Sequence, residues 1–147
     1  MVLVGQSGCG KSTVINVVTI WFHKILQQEG DSPDQPYVIK TAFTGCAASN
    51  IEGQTLHKSF GFCFGNQHYS LNDKVRDQKR NIMKNLKLVI IDEISMVKSD
   101  MLYMLDLRLQ ELKEKVGVPF GGVGLVVFGD LMQLAPTIGR YVYISRV

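Results

Sequence analysis

The feature of this sequence that most constrains its fold is an eight-residue stretch near the amino terminus. Residues 5–12 read GQSGCGKS and fit the pattern G-x-x-x-x-G-K-[ST]. A short apolar run at residues 2–4 precedes the stretch, and an apolar segment of helical length follows it. In a strand, glycine-rich turn and helix arranged this way, backbone N–H groups converge on phosphate oxygens. The stretch therefore predicts a phosphate-binding loop within a strand–loop–helix unit.

The residues of this loop have separate chemical tasks. Glycine lets the backbone curl, the Lys11 ammonium neutralises the β- and γ-phosphates, and the Ser12 hydroxyl ligates Mg²⁺. The predicted nucleotide-binding residues are Gly5, Gln6, Ser7, Gly8, Cys9, Gly10, Lys11, Ser12 and Thr13. A dinucleotide-binding loop fits less well, because Thr13 stands where the third glycine would be. A glycine-rich turn that binds nothing is the other alternative.

Short apolar runs alternate with segments of helical period along the rest of the chain. We expect strands over residues 2–4, 37–42, 86–91 and 123–128, and helices over residues 11–28, 44–51 and 99–115. A further strand is expected to begin within residues 137–147. The alternation indicates an α/β fold, a parallel sheet with helices on both faces. The first helix is apolar on more than one side and is expected to pack deeply against the sheet.

Polar residues follow each of the four expected strands. The glycine-rich loop follows the first strand, Thr44 and Gly45 follow the second, Asp92 and Glu93 follow the third, and residues 130–133 follow the fourth. Open parallel sheets bind ligands beyond the carboxyl ends of their strands. We therefore expect all four groups to meet at one edge of the sheet.

Asp92 and Glu93 fit a carboxylate pair that serves phosphoryl transfer. In P-loop NTPases the first acid holds Mg²⁺ and a neighbouring residue orients the attacking water. On its own, this segment also fits an exposed acidic pair at the start of a helix. Gln133 is a candidate contact to the γ-phosphate, with a solvated turn residue as the alternative.

Composition limits the remaining classes. The chain has 147 residues, 46% apolar and 20% charged, which suits one globular domain. No apolar run reaches the roughly 18 residues that span a bilayer, and the first residues lack the basic region of a secretory signal. The formal charge of +3 permits an anionic partner. The three cysteines, Cys9, Cys46 and Cys63, lie far apart and are expected to be free thiols in a reducing compartment.

Five stretches together resemble the PIF (petite integration frequency) family of DNA helicases, in the B branch of superfamily one. In the family's order, they are GQSGCGKST at residues 5–13, TAFTGCAA at 41–48, GQTLH at 53–57, IDEISM at 91–96, and FGG through GDLMQLAP at 120–136. The resemblance implies a RecA-like P-loop NTPase domain that hydrolyses ATP with Mg²⁺ and moves 5′ to 3′ on single-stranded DNA. It also implies a role in DNA repair, recombination or telomere maintenance, or in mobile elements that carry such helicases. We expect an intracellular protein, nuclear or mitochondrial in a eukaryote.

The resemblance also implies roles for individual positions. Lys11 and Ser12 would bind nucleotide and metal, Asp92 and Glu93 would serve Mg²⁺ and water, and Gln133 would sense the γ-phosphate. Thr44, Gly45, Thr55 and His57 fall in the motifs that line the DNA path. Phe43 and Leu131 depart from the family's common residues, but neither change removes a charge or a ligand.

Residue chemistry leaves the DNA path less determined than the nucleotide site. His57 is a DNA contact or a structural histidine. The aromatic residues Phe60, Phe62 and Phe64 either stack on bases or pack beneath a loop. The basic run over residues 74–87 is a DNA contact or a solvated helix face.

Three hypotheses follow for the function. The first is a helicase motor domain, and the second is a non-catalytic nucleotide-binding remnant, for example from a mobile element. The third, a small P-loop kinase, lacks sequence for a substrate pocket and lid. Helicases of this superfamily need a second RecA-like domain whose arginines complete the ATP site, and no later motif follows Pro136. We therefore expect residues 1–147 to be the first of two motor domains, with weak hydrolysis or none alone, and leave the oligomeric state open.

Overall fold

The computed structural model describes residues 1–5, 9–63 and 70–130. The strands in this part of the chain are β1 (Val2–Val4), β2 (Val38–Ala42), β3 (Gln54–Thr55), β4 (Leu88–Asp92) and β5 (Gly124–Gly129). The helices are α1 (Lys11–Leu26), α2 (Gly45–Asn50), α3 (Leu56–Phe60), α4 (Asp73–Ile82) and α5 (Ser99–Lys113). Short 3₁₀ turns occupy Ile94–Met96 and Pro119–Gly122. Among these helices, none combines the length and apolar content that a membrane crossing requires.

The five strands form one parallel sheet in the order β1-β5-β4-β2-β3. The four strands expected from apolar runs are present, with ends shifted by one or two residues. The sequence did not predict β3, because its two residues, Gln54 and Thr55, are polar. They pair with the end of β2 because Gly53 lets the two backbones approach closely. A Cβ at position 53 would lie 2.4 Å from the Lys40 carbonyl oxygen.

Helices cover both faces of the sheet, as the alternation predicted. Every residue of β4 is buried, and its side chains point to alternate faces. Val89 and Ile91 pack in the cluster that holds the apolar residues Met101, Leu105, Leu109 and Leu112 of α5. Leu88 and Ile90 pack in the cluster that holds Ile15 of α1. The α/β class and the two-faced sheet are therefore confirmed.

The expectation of a deeply packed first helix is wrong. Ile15 is the buried residue of α1, whereas Ile20, Trp21 and Ile25 are each about two-thirds exposed, at 64%, 65% and 66%. A helix lying on a sheet contacts it with only one stripe of its surface. No segment among the described residues lies over the remaining apolar sides. The helix also ends at Leu26, two residues before the predicted end.

Most of the basic segment forms the exposed helix α4, which is compatible with both alternatives set out above. No residue of α4 is buried, and its arginines pair with acids, Arg76 with Asp73 at 2.6 Å and Arg80 with Glu114 at 3.0 Å. Exposed pairs of this kind contribute little to stability. The strand expected within residues 137–147 lies outside the described residues.

Candidate functional site

The carboxyl ends of the strands bring the polar residues to one edge of the sheet. The register pairs Val4 with Gly129 and Ala42 with Asp92, so adjacent strands end at the same level. The Gly5 N–H donates to the Gly129 carbonyl at 3.0 Å, which ties the start of the glycine-rich loop to the end of β5. The expected convergence is confirmed for the described residues. Gln133 lies outside them, as do Gln6, Ser7 and Gly8.

The glycine-rich loop leads directly into α1. Gly10 precedes the helix with φ of 84° and ψ of 17°, a left-handed conformation that glycine adopts without steric cost. The first turn of the helix carries no acidic residue, so its free N–H groups and dipole favour an anion. Lys11 and Ser12 lie in this turn, and the Lys11 Nζ donates to the Gly5 carbonyl at 2.6 Å. The ammonium therefore lies against the residue that opens the loop, close to where phosphate would bind.

The acidic pair ends a buried strand and does not start an exposed helix. Asp92 is the last residue of β4 and only 8% exposed, and its Oδ1 accepts the Glu93 N–H at 2.9 Å. Glu93 is partly exposed and has φ of 54° and ψ of 49°, a left-handed backbone that glutamate rarely adopts. The Ile94–Met96 turn separates the pair from α5, so the helix-start alternative is wrong.

Thr44 and Gly45 lie beyond the end of β2, next to the acidic pair. Thr44 caps α2, because its Oγ1 accepts the Ala47 N–H at 3.2 Å. The same hydroxyl lies 3.5 Å from Glu93 Oε2, a long hydrogen bond. The neighbouring strands β2 and β4 therefore bring Thr44 into contact with Glu93, although the two residues belong to different sequence motifs.

Thr55 and His57 lie at the adjacent strand end, where β3 passes into α3. Thr55 caps α3, and its Oγ1 accepts the Lys58 N–H at 3.3 Å. The His57 ring lies edge-on to Phe43 and Phe62, with ring centroids 6.1 and 6.3 Å apart. All four residues assigned to the DNA path thus lie at or just beyond the ends of β2 and β3.

Of the three alternating aromatic residues, the first packs in the protein core. Phe60 is fully buried in the core, so it is not available to stack on a base. Phe62 is partly buried, and the Arg108 guanidinium lies over its ring, 5.9 Å from the centroid. Phe64 lies outside the described residues. Arg108 is 2% exposed and pairs with Glu111. This buried ion pair was not predicted, although its three-residue spacing on a predicted helix was a signal in the sequence.

Burial lowers the pKa of His57 below its ordinary value of 6.5. We expect the imidazole to be neutral at pH 7, so it would offer a ring and hydrogen bonds to a ligand, not a charge. Because folding favours the neutral form, the His57 contribution to stability is complete above the unfolded-state pKa of about 6.5 and is lost as the pH falls below that value and through the lower folded-state pKa. Titration of the His57 ring protons by NMR is expected to give a midpoint below that of a histidine in an unfolded peptide. An equal or higher midpoint would contradict this prediction.

The oxygen donors at this edge fit magnesium bound together with a nucleotide. Asp92 supplies a carboxylate and Ser12 a hydroxyl, and both are hard oxygen ligands. Among the described residues, no cluster of three or more His, Cys, Asp or Glu side chains can hold a metal ion. Mg²⁺ sites in nucleotide-dependent enzymes commonly use one or two carboxylates, with phosphate and water completing the shell. The donor set therefore suits a metal that arrives with its phosphates.

Comparison with known proteins identifies close relatives. The family model for PIF1-like helicases matches residues 1–144. The "ATP-dependent DNA helicase PIF1" of Emericella nidulans is 38% identical over 135 residues, which cover 90% of this chain and 17% of that protein. The "ATP-dependent DNA helicase RRM3" of Saccharomyces cerevisiae is 36% identical, covering 90% of this chain and 18% of that protein.

A solved structure has the same fold. It is a crystal structure of Pif1 helicase from Bacteroides in complex with ADP-AlF3 and ssDNA, 37% identical, with a TM-score of 0.74. The match covers 93% of this chain and 29% of that one. The chain thus spans less than a fifth of the length of the two curated relatives and under a third of the solved chain.

Proposed function

Because this chain belongs to the PIF1-like helicase family, we propose that it is the first RecA-like motor domain of an ATP-dependent DNA helicase. The complete protein binds and hydrolyses ATP with Mg²⁺, translocates 5′ to 3′ on single-stranded DNA and unwinds duplex. The observation that carries the proposal is the arrangement at one sheet edge. The glycine-rich loop follows β1, and the Asp92–Glu93 pair ends β4, two strands away.

We assign the nucleotide to the loop and the first turn of α1. Residues 5–13 surround the phosphates with backbone N–H groups, and Lys11 neutralises their charge. Ser12 and Asp92 would hold Mg²⁺, which supplies charge neutralisation for the transferring phosphoryl group. Glu93 accepts a proton from the attacking water, and Gln133 contacts the γ-phosphate. Phosphoryl transfer depends mainly on positioning and electrostatics, and these residue types supply both.

We assign single-stranded DNA to the neighbouring strand ends. On the far side of β4 from the glycine-rich loop, the ends of β2 and β3 carry Thr44, Gly45, Thr55 and His57. Hydroxyl groups and backbone N–H groups bind phosphates without reading sequence. This arrangement lets one sheet edge hold nucleotide on one side and DNA on the other.

In this proposal a second RecA-like domain elsewhere in the protein completes the ATP site. In related NTPases an arginine supplied by a partner domain is worth about 10³–10⁵ in rate. We place the complete protein in a reducing intracellular compartment, nuclear or mitochondrial in a eukaryote, where it acts in DNA repair, recombination or telomere maintenance. The described thiols, Cys9, Cys46 and Cys63, are free, which suits such a compartment.

The test compares residues 1–147 with the complete polypeptide that contains them. We expect the complete polypeptide to hydrolyse ATP, and oligo(dT) to stimulate that hydrolysis. Residues 1–147 alone are expected to bind a fluorescent ATP analogue but to hydrolyse ATP about 10³-fold more slowly or not at all. Phosphate release by a coupled assay and strand separation of a forked duplex are the measurements. Robust unwinding by residues 1–147, or no ATP hydrolysis by the complete polypeptide, would refute the proposal.

A further inference from the structure

The Thr44 hydroxyl has two hydrogen-bond partners, and it acts as the acceptor toward one and as the donor toward the other. Its oxygen accepts the Ala47 N–H at 3.2 Å, which caps α2. Its single O–H proton is then available to the Glu93 carboxylate, whose Oε2 lies 3.5 Å away. Among the described residues, no Lys or Arg forms an ion pair with Glu93. Among the described residues, Thr44 is therefore the side chain seen in hydrogen-bond contact with the Glu93 carboxylate, at the long end of the distance range.

The sheet order shows to which side the carboxylate is held. β4 lies between β5 and β2, and β1 lies beyond β5. The glycine-rich loop follows β1, whereas Thr44 follows β2, so the two flank Glu93 on opposite sides. Neighbouring strands are about 4.8 Å apart, so Thr44 and the glycine-rich loop, on opposite sides of β4, are separated by several ångströms at least. The Thr44 contact therefore lies on the β2 side of β4, and the glycine-rich loop lies on the other side.

The Glu93 backbone is also in an uncommon state. Its φ of 54° lies in the left-handed region, and its N–H is held by Asp92 Oδ1 at 2.9 Å. Because this hydrogen bond ties the backbone to the strand end, the side-chain torsions of Glu93 are the simplest way to move its carboxylate. Thr44 and the phosphate side then present two alternative positions for one carboxylate.

We propose that Thr44 is a positioning residue that holds Glu93 on the β2 side of β4 when DNA is absent, and that single-stranded DNA releases it. This inference rests on the proposed function, in which Thr44 and Gly45 contact DNA and Glu93 acts on the attacking water. Thr44 has one O–H proton, while a DNA phosphate and the Glu93 carboxylate are both acceptors. When a DNA phosphate accepts the hydrogen bond from the Thr44 hydroxyl, the Glu93 carboxylate loses its donor and turns toward the nucleotide. DNA binding and ATP hydrolysis are thereby coupled through a single hydroxyl.

The first experiment measures ATP turnover by the complete polypeptide with and without oligo(dT), using three substitutions at one position. Thr44→Ser keeps both the cap and the O–H donor. Thr44→Asp keeps the cap but cannot donate, and Thr44→Val loses both. We expect the DNA-free rate to rise at least about 5-fold in the Val and Asp variants, and to rise less in the Ser variant, which keeps both the cap and the donor. The ratio of the DNA-stimulated rate to the DNA-free rate falls accordingly in the Val variant.

Two outcomes would overturn the inference. In the first, the Val and Asp variants keep the wild-type DNA-free rate and stimulation ratio. In the second, the Val variant alone changes, which would assign the effect to the cap of α2. Two other outcomes would refute the proposed function instead. The wild-type protein would show no ATP turnover, or Glu93→Gln would leave the turnover unchanged.

A second experiment does not depend on turnover. Coupling free energies are reciprocal, so removing the Glu93 carboxylate frees the Thr44 proton for DNA. We expect Glu93→Ala to tighten oligo(dT) binding about 5-fold in nucleotide-free protein, and this gain to vanish in the Thr44→Val background. An equal gain in both backgrounds would mean that only the lost negative charge matters, and would overturn the inference. No gain in either background would overturn it as well.

Discussion

Glu93→Gln is expected to lower ATP turnover by the complete protein about 10²–10⁴-fold, the range for loss of a general base. Glutamine has nearly the shape of glutamate but cannot accept the proton that the attacking water must lose. The residue is partly exposed beside the buried Asp92, so the substitution removes a charge without opening a cavity. The measurement is the steady-state rate of phosphate release in the presence of oligo(dT). Affinity for a fluorescent ATP analogue is expected to change by no more than about 3-fold, because the metal and phosphate contacts remain.

Glu114→Gln is the matched control for this substitution. Glu114 also has a φ of 54°, so the two substitutions make the same chemical change at the same kind of backbone conformation. It lies at the end of α5, where its carboxylate pairs with Arg80 on the surface. We expect the turnover of this variant to match that of the wild-type protein. If the two variants lost activity equally, or if neither did, the assignment of Glu93 to catalysis would be wrong.

Leu105→Ala is expected to lower the free energy of unfolding by about 2–5 kcal/mol. Leu105 is fully buried at the middle of α5, in the cluster that holds Val89 and Ile91 of β4. Truncation removes buried methyl groups and leaves a cavity that the surrounding side chains fill only in part. Urea unfolding of residues 1–147, followed by circular dichroism, measures the change.

Tyr103→Ala on the same helix is the control for the stability measurement. Tyr103 is 63% exposed, so its truncation removes little buried surface. We expect a change within about 0.5 kcal/mol, the usual range for surface substitutions. A loss for Leu105→Ala no larger than that for Tyr103→Ala would mean that α5 does not pack on the sheet as described.

Much of the candidate site could be predicted because its signals are local. Gly10, Lys11 and Ser12 lie within three positions, and the left-handed φ at Gly10 is one that glycine alone adopts without cost. Asp92 and Glu93 end an apolar run whose residues are all buried in the sheet. Since parallel strands end at a common edge, knowing the strands was enough to bring these groups together.

Other features were not predictable, because they depend on contacts between distant segments. The two polar residues of β3 carry no strand signal, and they pair only because Gly53 allows the close approach to Lys40. The apolar residues of α1 suggested burial on several sides, yet Trp21 is 65% exposed. Hydrophobic periodicity shows which sides of a helix are apolar, but not whether another segment covers each of them.

By itself, the sequence determined the α/β class, the glycine-rich loop between a strand and a helix, and the strand ends that carry Thr44 and the acidic pair. These follow from spacing along the chain, which fixes backbone shape and side-chain alternation over short distances. Only the tertiary structure decided which strands are neighbours. The order β1-β5-β4-β2-β3 puts Thr44 beside Glu93, although 49 positions separate them in the chain. A contact between side chains so far apart in sequence exists only once the sheet is assembled, because strand order is a property of long-range pairing.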